Sequence, residues 1–224
     1  ITGDCYKNYN LSKNDEIDII STINSVYGYF AVSGGFELKK NFGSFSTHVR
    51  SNVGANDGNK ISKNEKFFIK DFENKNINKN IKYTNSKIEY IRILKGTNFD
   101  YFLEKSIKEL TSKEFLVSKL SDRMGMRLQG PKIKNLKETN IRSEGLIKGV
   151  IQVPADGNPI IMLSDHGTIG GYPKIAVVIS ADYDKIVQLP PGTKVKFKLI
   201  DLKEAENLYK LYRLETENIL NQIQ

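Results

Sequence analysis

Apolar residues fall along this chain in short runs broken by polar turns, a spacing that predicts many strands and few helices. Residues 15 to 35 carry Ile17, Ile19, Ile20, Ile23, Val26, Tyr29, Phe30 and Val32 and stop at Gly34-Gly35, which predicts strand material. Gly43-Ser44-Phe45-Ser46-Thr47 and residues 52 to 59 predict loops, because Gly, Ser, Asn and Asp tolerate left-handed backbone or bond their own chain. From Lys70 to Lys87 the chain is mostly Asn and Lys with few apolar anchors, so residues 71 to 87 read as a linker.

Beyond it, residues 88 to 94 alternate as a strand. Residues 97 to 110 place Phe99, Phe102, Leu103, Ile107 and Leu110 at helical spacing, with Thr97 or Asn98 available as a cap. Further strands are predicted at 114–120, 124–129, 146–153, 159–164 and 175–180. Residues 154 to 159 join two apolar runs through an Asp-Gly pair, a hairpin signal. Residues 194 to 199 alternate cleanly, with Val195, Phe197 and Leu199 opposite Lys194, Lys196 and Lys198. From Asp201 to the end, Leu202, Ala205, Leu208, Tyr209 and Tyr212 form one stripe of an amphipathic helix. The fold class is therefore mainly β with a few helices. Expected domains are 1–70, the linker 71–87, a closed or nearly closed barrel over 88–200, and a helix over 201–224. Periodicity alone does not separate barrel from sandwich.

Composition narrows the function classes. Among 224 residues, 39% are hydrophobic and 27% charged, which fits a folded domain with a proper core rather than a disordered chain. One cysteine, Cys5, and two histidines, His48 and His166, offer neither an intrachain disulfide nor a cluster of soft metal ligands. A cytoplasmic setting and no metal are expected. No apolar run approaches the roughly 18 residues of a membrane span. The net charge of +8 raises nucleic-acid binding, yet the lysines are scattered among asparagines with no Arg-rich helix or aromatic-basic ladder, so no nucleic-acid partner is expected.

Two segments carry candidate chemistry. Read as a strand, Arg123, Gly125 and Arg127 share a face opposite Met124, Met126 and Leu128, so two guanidinium forks flank a glycine that lets a carboxylate or phosphate approach. The alternative is a surface strand whose arginines pair with nearby acids. Residues 165 to 174 lie between apolar strands: the Gly170 and Gly171 amides and Lys174 could meet an anion, and Asp165 could act as a base. The alternative is a glycine-rich connection whose Asp caps backbone amides. Glu144 is a further polar candidate. Gln152, inside the apolar run 150 to 153, needs either a ligand or a core partner, since an unpaired buried amide costs about 1 to 3 kcal/mol. No phosphate-binding loop, dinucleotide fingerprint or serine elbow occurs.

Four blocks in order, Ser121-Asp122-Arg123-Met124-Gly125-x-Arg127-Leu128-x-Gly130, Ser143-Glu144-Gly145, Gly149-x-Ile151-Gln152-Val153-Pro154-x-x-Gly157-x-Pro159-Ile160 and Asp165-x-x-Thr168-x-Gly170-Gly171-Tyr172-Pro173-Lys174, resemble the biotin-dependent carboxyltransferase-like family. Upstream, Ala31-Val32-Ser33-Gly34-Gly35 and Gly43-Ser44-x-Ser46-Thr47 resemble family blocks too. That family includes the C subunit of the bacterial ATP-dependent 5-oxoprolinase (KipA), the allophanate hydrolase subunit 2 label and the matching part of urea carboxylase. The resemblance implies a cyclophilin-like β-barrel over 88–200 and part of a related barrel over 1–70. It also implies a preceding segment with Thr-Val-Gln-Asp and Gly-Val-Pro-x-Ser-Gly blocks, so the sequence is expected to be a fragment.

The activity so implied is one component's share in ATP-dependent opening of the 5-oxoproline lactam to glutamate. The expected partners are a KipI-like protein and a LamB/YcsF-like protein as the other components of that enzyme, with ATP bound by this chain or elsewhere in the complex. Asp165, Glu144, Arg123 and Arg127 are the candidate catalytic residues. Ser44, Thr47, Ser121, Asp122, Gln152, Gly170, Gly171, Tyr172 and Lys174 are the candidate substrate-binding residues. The alternatives are carboxyl transfer from biotin in a urea carboxylase-type enzyme and a KipA-type regulatory binding role.

Overall fold

The computed structural model describes residues 5–71, 81, 89–137 and 139–222. The chain divides into two compact units, one formed by Ile1–Tyr27 with Lys79–Gln224 and the other by Gly28–Asn78. The linker expected at 71–87 lies outside the described residues except for Asp71 and Ile81.

In the smaller unit, β1 (Thr47–His48) and β2 (Val53–Gly54) form a short antiparallel pair. A tight turn closes between Asn41 and Ser44 with Phe42 and Gly43 at positive φ. The one buried apolar side chain among the described residues of this unit is Ala55.

Among its described residues, the larger unit is built on eight strands: β3 (Ile91–Lys95), β4 (Phe115–Val117), β5 (Gly125–Gln129), β7 (Val150–Gln152), β8 (Ile160–Met162), β10 (Lys174–Val178), β11 (Lys194–Val195) and β12 (Phe197–Leu199). A separate two-stranded ribbon pairs β6 (Glu144–Gly145) with β9 (Ile169–Gly170). The sheet order is β11-β4-β5-β8-β7-β10-β3-β12, antiparallel throughout except where β12 meets β3. Its two outermost strands, β11 and β12, are separated in sequence by Lys196 alone. One stretch of chain therefore serves both edges and brings the sheet round into a nearly closed barrel. The Lys196 carbonyl accepts the Ile91 N–H (2.8 Å), the Thr193 carbonyl accepts the Val117 N–H (2.9 Å), and the rings of Phe115 and Phe197 meet at 5.9 Å. The expected alternation of residues 194–199 is what makes this possible: Val195 and Phe197 are buried in the barrel while the three lysines face out. Ile93, Leu128, Ile151, Ile161 and Ile175 fill the interior at 0% exposure. The mainly β class and the barrel are thus borne out.

Among the described residues, three helices flank the sheet: α1 (Glu104–Ser112), α2 (Ser180–Val187) and α3 (Leu202–Asn221). The helix expected from residue 97 starts later, because residues 99–101 form a 3-10 turn and Asn98 is buried with its Oδ1 accepting the Lys174 N–H (3.0 Å). Helix α2 has no counterpart in the sequence pattern. Helix α3 begins as predicted, with Asp201 Oδ1 accepting the Glu204 N–H (2.8 Å). It packs Ala205, Leu208 and Tyr212 inward, whereas Leu202 and Tyr209 stay exposed.

The strand expected over 15–35 is a correction: no regular strand forms among these described residues, and Ile20, Ile23 and Tyr29 are 88%, 83% and 93% exposed. A strand needs a neighbour to take its backbone bonds. Here Val26 and Tyr27 donate to a side chain, the Gln188 Oε1.

Gly96, at the end of β3, marks where two backbones touch: a Cβ there would lie 2.3 Å from the Lys174 carbonyl oxygen and 2.7 Å from the Ala176 nitrogen. Gly96→Ala is expected to destabilise the barrel by about 2 to 3 kcal/mol through overpacking. Urea denaturation measures it; a loss below about 0.5 kcal/mol would show that β3 and β10 separate freely.

Candidate functional site

The entry to β5 is shaped by its own side chains. Asp122 Oδ1 accepts the Met124 and Gly125 N–H groups (2.9 and 3.1 Å), an Asx turn, and Ser121 Oγ accepts the Arg127 N–H (3.0 Å). Both residues are therefore occupied by local backbone. Arg123 falls inside this turn rather than on a strand face with Gly125 and Arg127. Its Nε and Nη2 bond both oxygens of Asp165 (2.7 and 3.0 Å). The expected pair of arginines is thus split: Arg123 is clamped to an acid, while Arg127 projects from the exposed face of β5 and its guanidinium makes no ion pair or hydrogen bond with the described residues. Met126 and Leu128 point into the core as expected, whereas Met124 precedes the strand.

The block 165–174 is organised by two buried polar residues that face each other across β7 and β10. Lys174 is 3% exposed and its Nζ lies 2.6 Å from Glu144 Oε2 on the ribbon. The hydrogen bond from Lys174 holds the Glu144 carboxyl below the usual carboxylate range, with the Asn98 side chain lowering it slightly further. Gln152, opposite Lys174 in register and 4% exposed, donates from Nε2 to the Tyr172 carbonyl (3.0 Å). It is a satisfied core amide that fixes the backbone of Tyr172. Gly170 and Gly171 do not form a left-handed amide nest. Neither has a positive φ, a Cβ on Gly170 would lie 2.7 Å from Gln152 Nε2, and the Gly171 carbonyl accepts the Ile141 N–H (2.9 Å). Gly170 allows close packing of the ribbon on Gln152. His166 Nδ1 sits 2.5 Å from the Gly167 carbonyl oxygen.

Arg127 and Tyr172 line one open groove of about 290 Å³, together with Ser118, Gln129, Asp156 and Asn158. Asp156 is legible in the sequence only as a turn residue. Its carboxyl is held below the usual range first by the Asn158 backbone N–H and also by the Asn158 side chain, with Lys132 and Arg127 contributing charge. A groove with an uncommitted guanidinium, a phenol and an ionised acceptor suits a small polar acid. Ser44 and Thr47 belong to the smaller unit, where Ser44 Oγ accepts the Ser46 N–H (3.0 Å) and Thr47 Oγ1 donates to the Ala55 carbonyl (2.8 Å). No trio of His, Cys, Asp or Glu side chains among the described residues is placed to hold a metal, and no helix among them is long and apolar enough to cross a membrane.

The architecture is that of a carboxyltransferase-type barrel. It is similar to the Kluyveromyces lactis urea amidolyase, with a TM-score of 0.73 at 24% identity over 84% of this chain and 13% of that one. The chain belongs to the family described as carboxyltransferase domain, subdomain A and B, which it matches over residues 3–199. It is 33% identical to the 5-oxoprolinase C subunit of Haemophilus influenzae over 88% of this chain and 62% of that protein. It is 26% identical to urea amidolyase of Saccharomyces cerevisiae over 96% of this chain and 14% of that protein. Against the 5-oxoprolinase C subunits of Haemophilus influenzae and Escherichia coli, the chain spans 62% and 57% of their lengths.

Proposed function

We propose that this chain is part of a 5-oxoprolinase C subunit and contributes the acid-holding groove of an enzyme that hydrolyses the lactam of 5-oxoproline to glutamate. The observation that carries the reading is the uncommitted Arg127 guanidinium beside Tyr172, in a chain related to 5-oxoprolinase C subunits. In the overall reaction water adds to the lactam carbonyl, the ring C–N bond breaks, and the products are the new carboxylate and the freed amine. A guanidinium fork suits the carboxylate that the substrate keeps throughout, because two parallel hydrogen bonds fix both its position and its plane.

The remaining candidates take supporting parts in this reading. Arg123 with Asp165 and Glu144 with Lys174 brace the loops that carry Tyr172 toward Arg127, and Ser121 and Asp122 set the start of β5. Glu144, half-exposed and ionised at neutral pH, can accept a proton but is a poor donor. Gly170 is packed against Gln152 and opens no phosphate-holding loop. ATP is therefore assigned to the cytoplasmic assembly with a KipI-like protein and a LamB/YcsF-like protein, and no step at this chain's residues runs through it.

The test is ATP-dependent release of glutamate from 5-oxoproline by the full-length protein assembled with those two partners. Arg127→Ala is expected to lower kcat/KM by about a hundredfold or more, the scale of a lost charge-assisted bidentate contact, with the thermal midpoint unchanged. Unchanged turnover would refute the assignment. The urea amidolyase relatives support a second reading, carboxyl transfer from carboxybiotin to urea or a similar amide, with the same groove holding the carboxylate. Turnover requiring a biotin carboxylase and a biotin carrier would favour it. Partner binding with neither activity would favour a KipA-type regulatory role.

A further inference from the structure

The groove contains opposite charges that attract but do not bond directly. Arg127 and Asp156 both line it, yet they form no ion pair, and Arg127 has no other partner among the described residues. Asp156 is held in place: Oδ1 accepts the Asn158 N–H (3.1 Å), Oδ2 accepts the Asn158 Nδ2–H (2.6 Å), and Lys132 Nζ bonds Asn158 Oδ1 (2.7 Å). An ionised carboxylate accepts about four hydrogen bonds, so one bond at each oxygen leaves both with capacity for a further donor. The turn alone accounts for the bond at Oδ1, as an ordinary Asx turn does. It does not account for a second, braced oxygen in a groove whose only free cation among the described lining residues is Arg127.

We propose that Asp156 is the second recognition contact of the Arg127 groove, accepting a hydrogen bond from an N–H adjacent to the ligand's carboxylate, so that the groove selects small acids that carry such an N–H. The inference rests on the small-acid reading of the groove and deepens it. In a lactam acid the ring nitrogen and the carboxylate sit on the same carbon, so one ligand presents an acceptor anion to Arg127 and a donor to Asp156. The Asn158 backbone N–H holds the Asp156 carboxyl below the usual carboxylate range, which keeps it an acceptor at neutral pH. An acid with an ether or ester oxygen in place of the N–H instead sets two acceptors against each other, which is repulsive.

The experiment compares three probes by calorimetry, on this chain and on the assembled enzyme. They are 5-oxoproline, the lactone acid in which a ring oxygen replaces the N–H, and 2-pyrrolidone, which keeps the N–H but lacks the carboxylate. The wild type is expected to prefer 5-oxoproline over the lactone acid by about tenfold or more, the scale of one hydrogen bond to a charged group, and to bind 2-pyrrolidone weakest. Asp156→Ala should bind the two acids equally. Asp156→Asn keeps an oxygen for the turn, guards against misfolding, and should show reduced preference. Equal binding of both acids by the wild type, or a preference kept in Asp156→Ala, overturns the role of Asp156. If that equal binding is lost in Arg127→Ala, the carboxylate reading still stands. Absence of binding of either acid to both preparations ends both ideas.

Discussion

Replacing Asp182 by Ala is expected to remove about 3 to 5 kcal/mol of stability, a large share of the roughly 5 to 15 kcal/mol available to a domain. Asp182 lies in the first turn of α2 and is 0% exposed. It accepts from Arg92 three times on β3: the backbone N–H (2.9 Å), Nε (2.7 Å) and Nη2 (2.5 Å), with Lys185 Nζ at 3.8 Å. Truncation strands a guanidinium whose side chain is only 21% exposed and leaves a strand amide unpaired, so the loss exceeds that of a surface pair. Urea unfolding by circular dichroism measures it. Asp182→Asn keeps an acceptor for the backbone N–H and should fall between. A loss under about 1 kcal/mol for Asp182→Ala would show that the pair behaves like a surface one.

The pair between Glu144 and Lys174 should respond asymmetrically. Glu144→Ala leaves the ammonium of Lys174, 4% exposed, without its carboxylate, and is expected to cost about 3 kcal/mol, the low end for a broken buried pair because Glu144 itself is 44% exposed. Lys174→Met removes the buried charge and leaves behind an acid that water can solvate, so it should cost less than about 1.5 kcal/mol. The sign of the pH effect follows from Glu144. Its folded pKa is depressed, so its contribution is present above the ordinary carboxylate range and is lost as pH falls through the lower folded value. Stability curves from neutral to acid pH should therefore converge for the wild type and Lys174→Met. Equal losses in the two variants at neutral pH would sink this account.

The barrel is readable in the sequence where one face is buried and one is wet. Val195 and Phe197 against three lysines, or Met126 and Leu128 against Arg127, announce both the strand and its inner face. Residues 15–35 mislead because alternation reports side chains and is blind to whether a neighbour exists to take the backbone bonds. Helix α2 escapes because eight residues hold too few periods to stand out, and Asp182 escapes with it. At the site, the blocks around Arg127 and Tyr172 stand out in the sequence, and the structure brings those two together. Gly170 is ambiguous in the sequence because close packing and left-handed turns both call for glycine, and only the neighbouring Gln152 shows the close packing. Asp156 is hidden by its turn, since an Asx bond accounts for an Asp before a Gly without any ligand.

The shared edge at Lys196 also sets an order of events during synthesis. Both seams, β4 with β11 and β3 with β12, wait for residues 194–199, roughly a hundred positions after Ile91 has left the ribosome. At about 5 to 20 residues per second, the growing chain carries two open strand margins for some seconds, a window in which they are exposed to pairing with other chains.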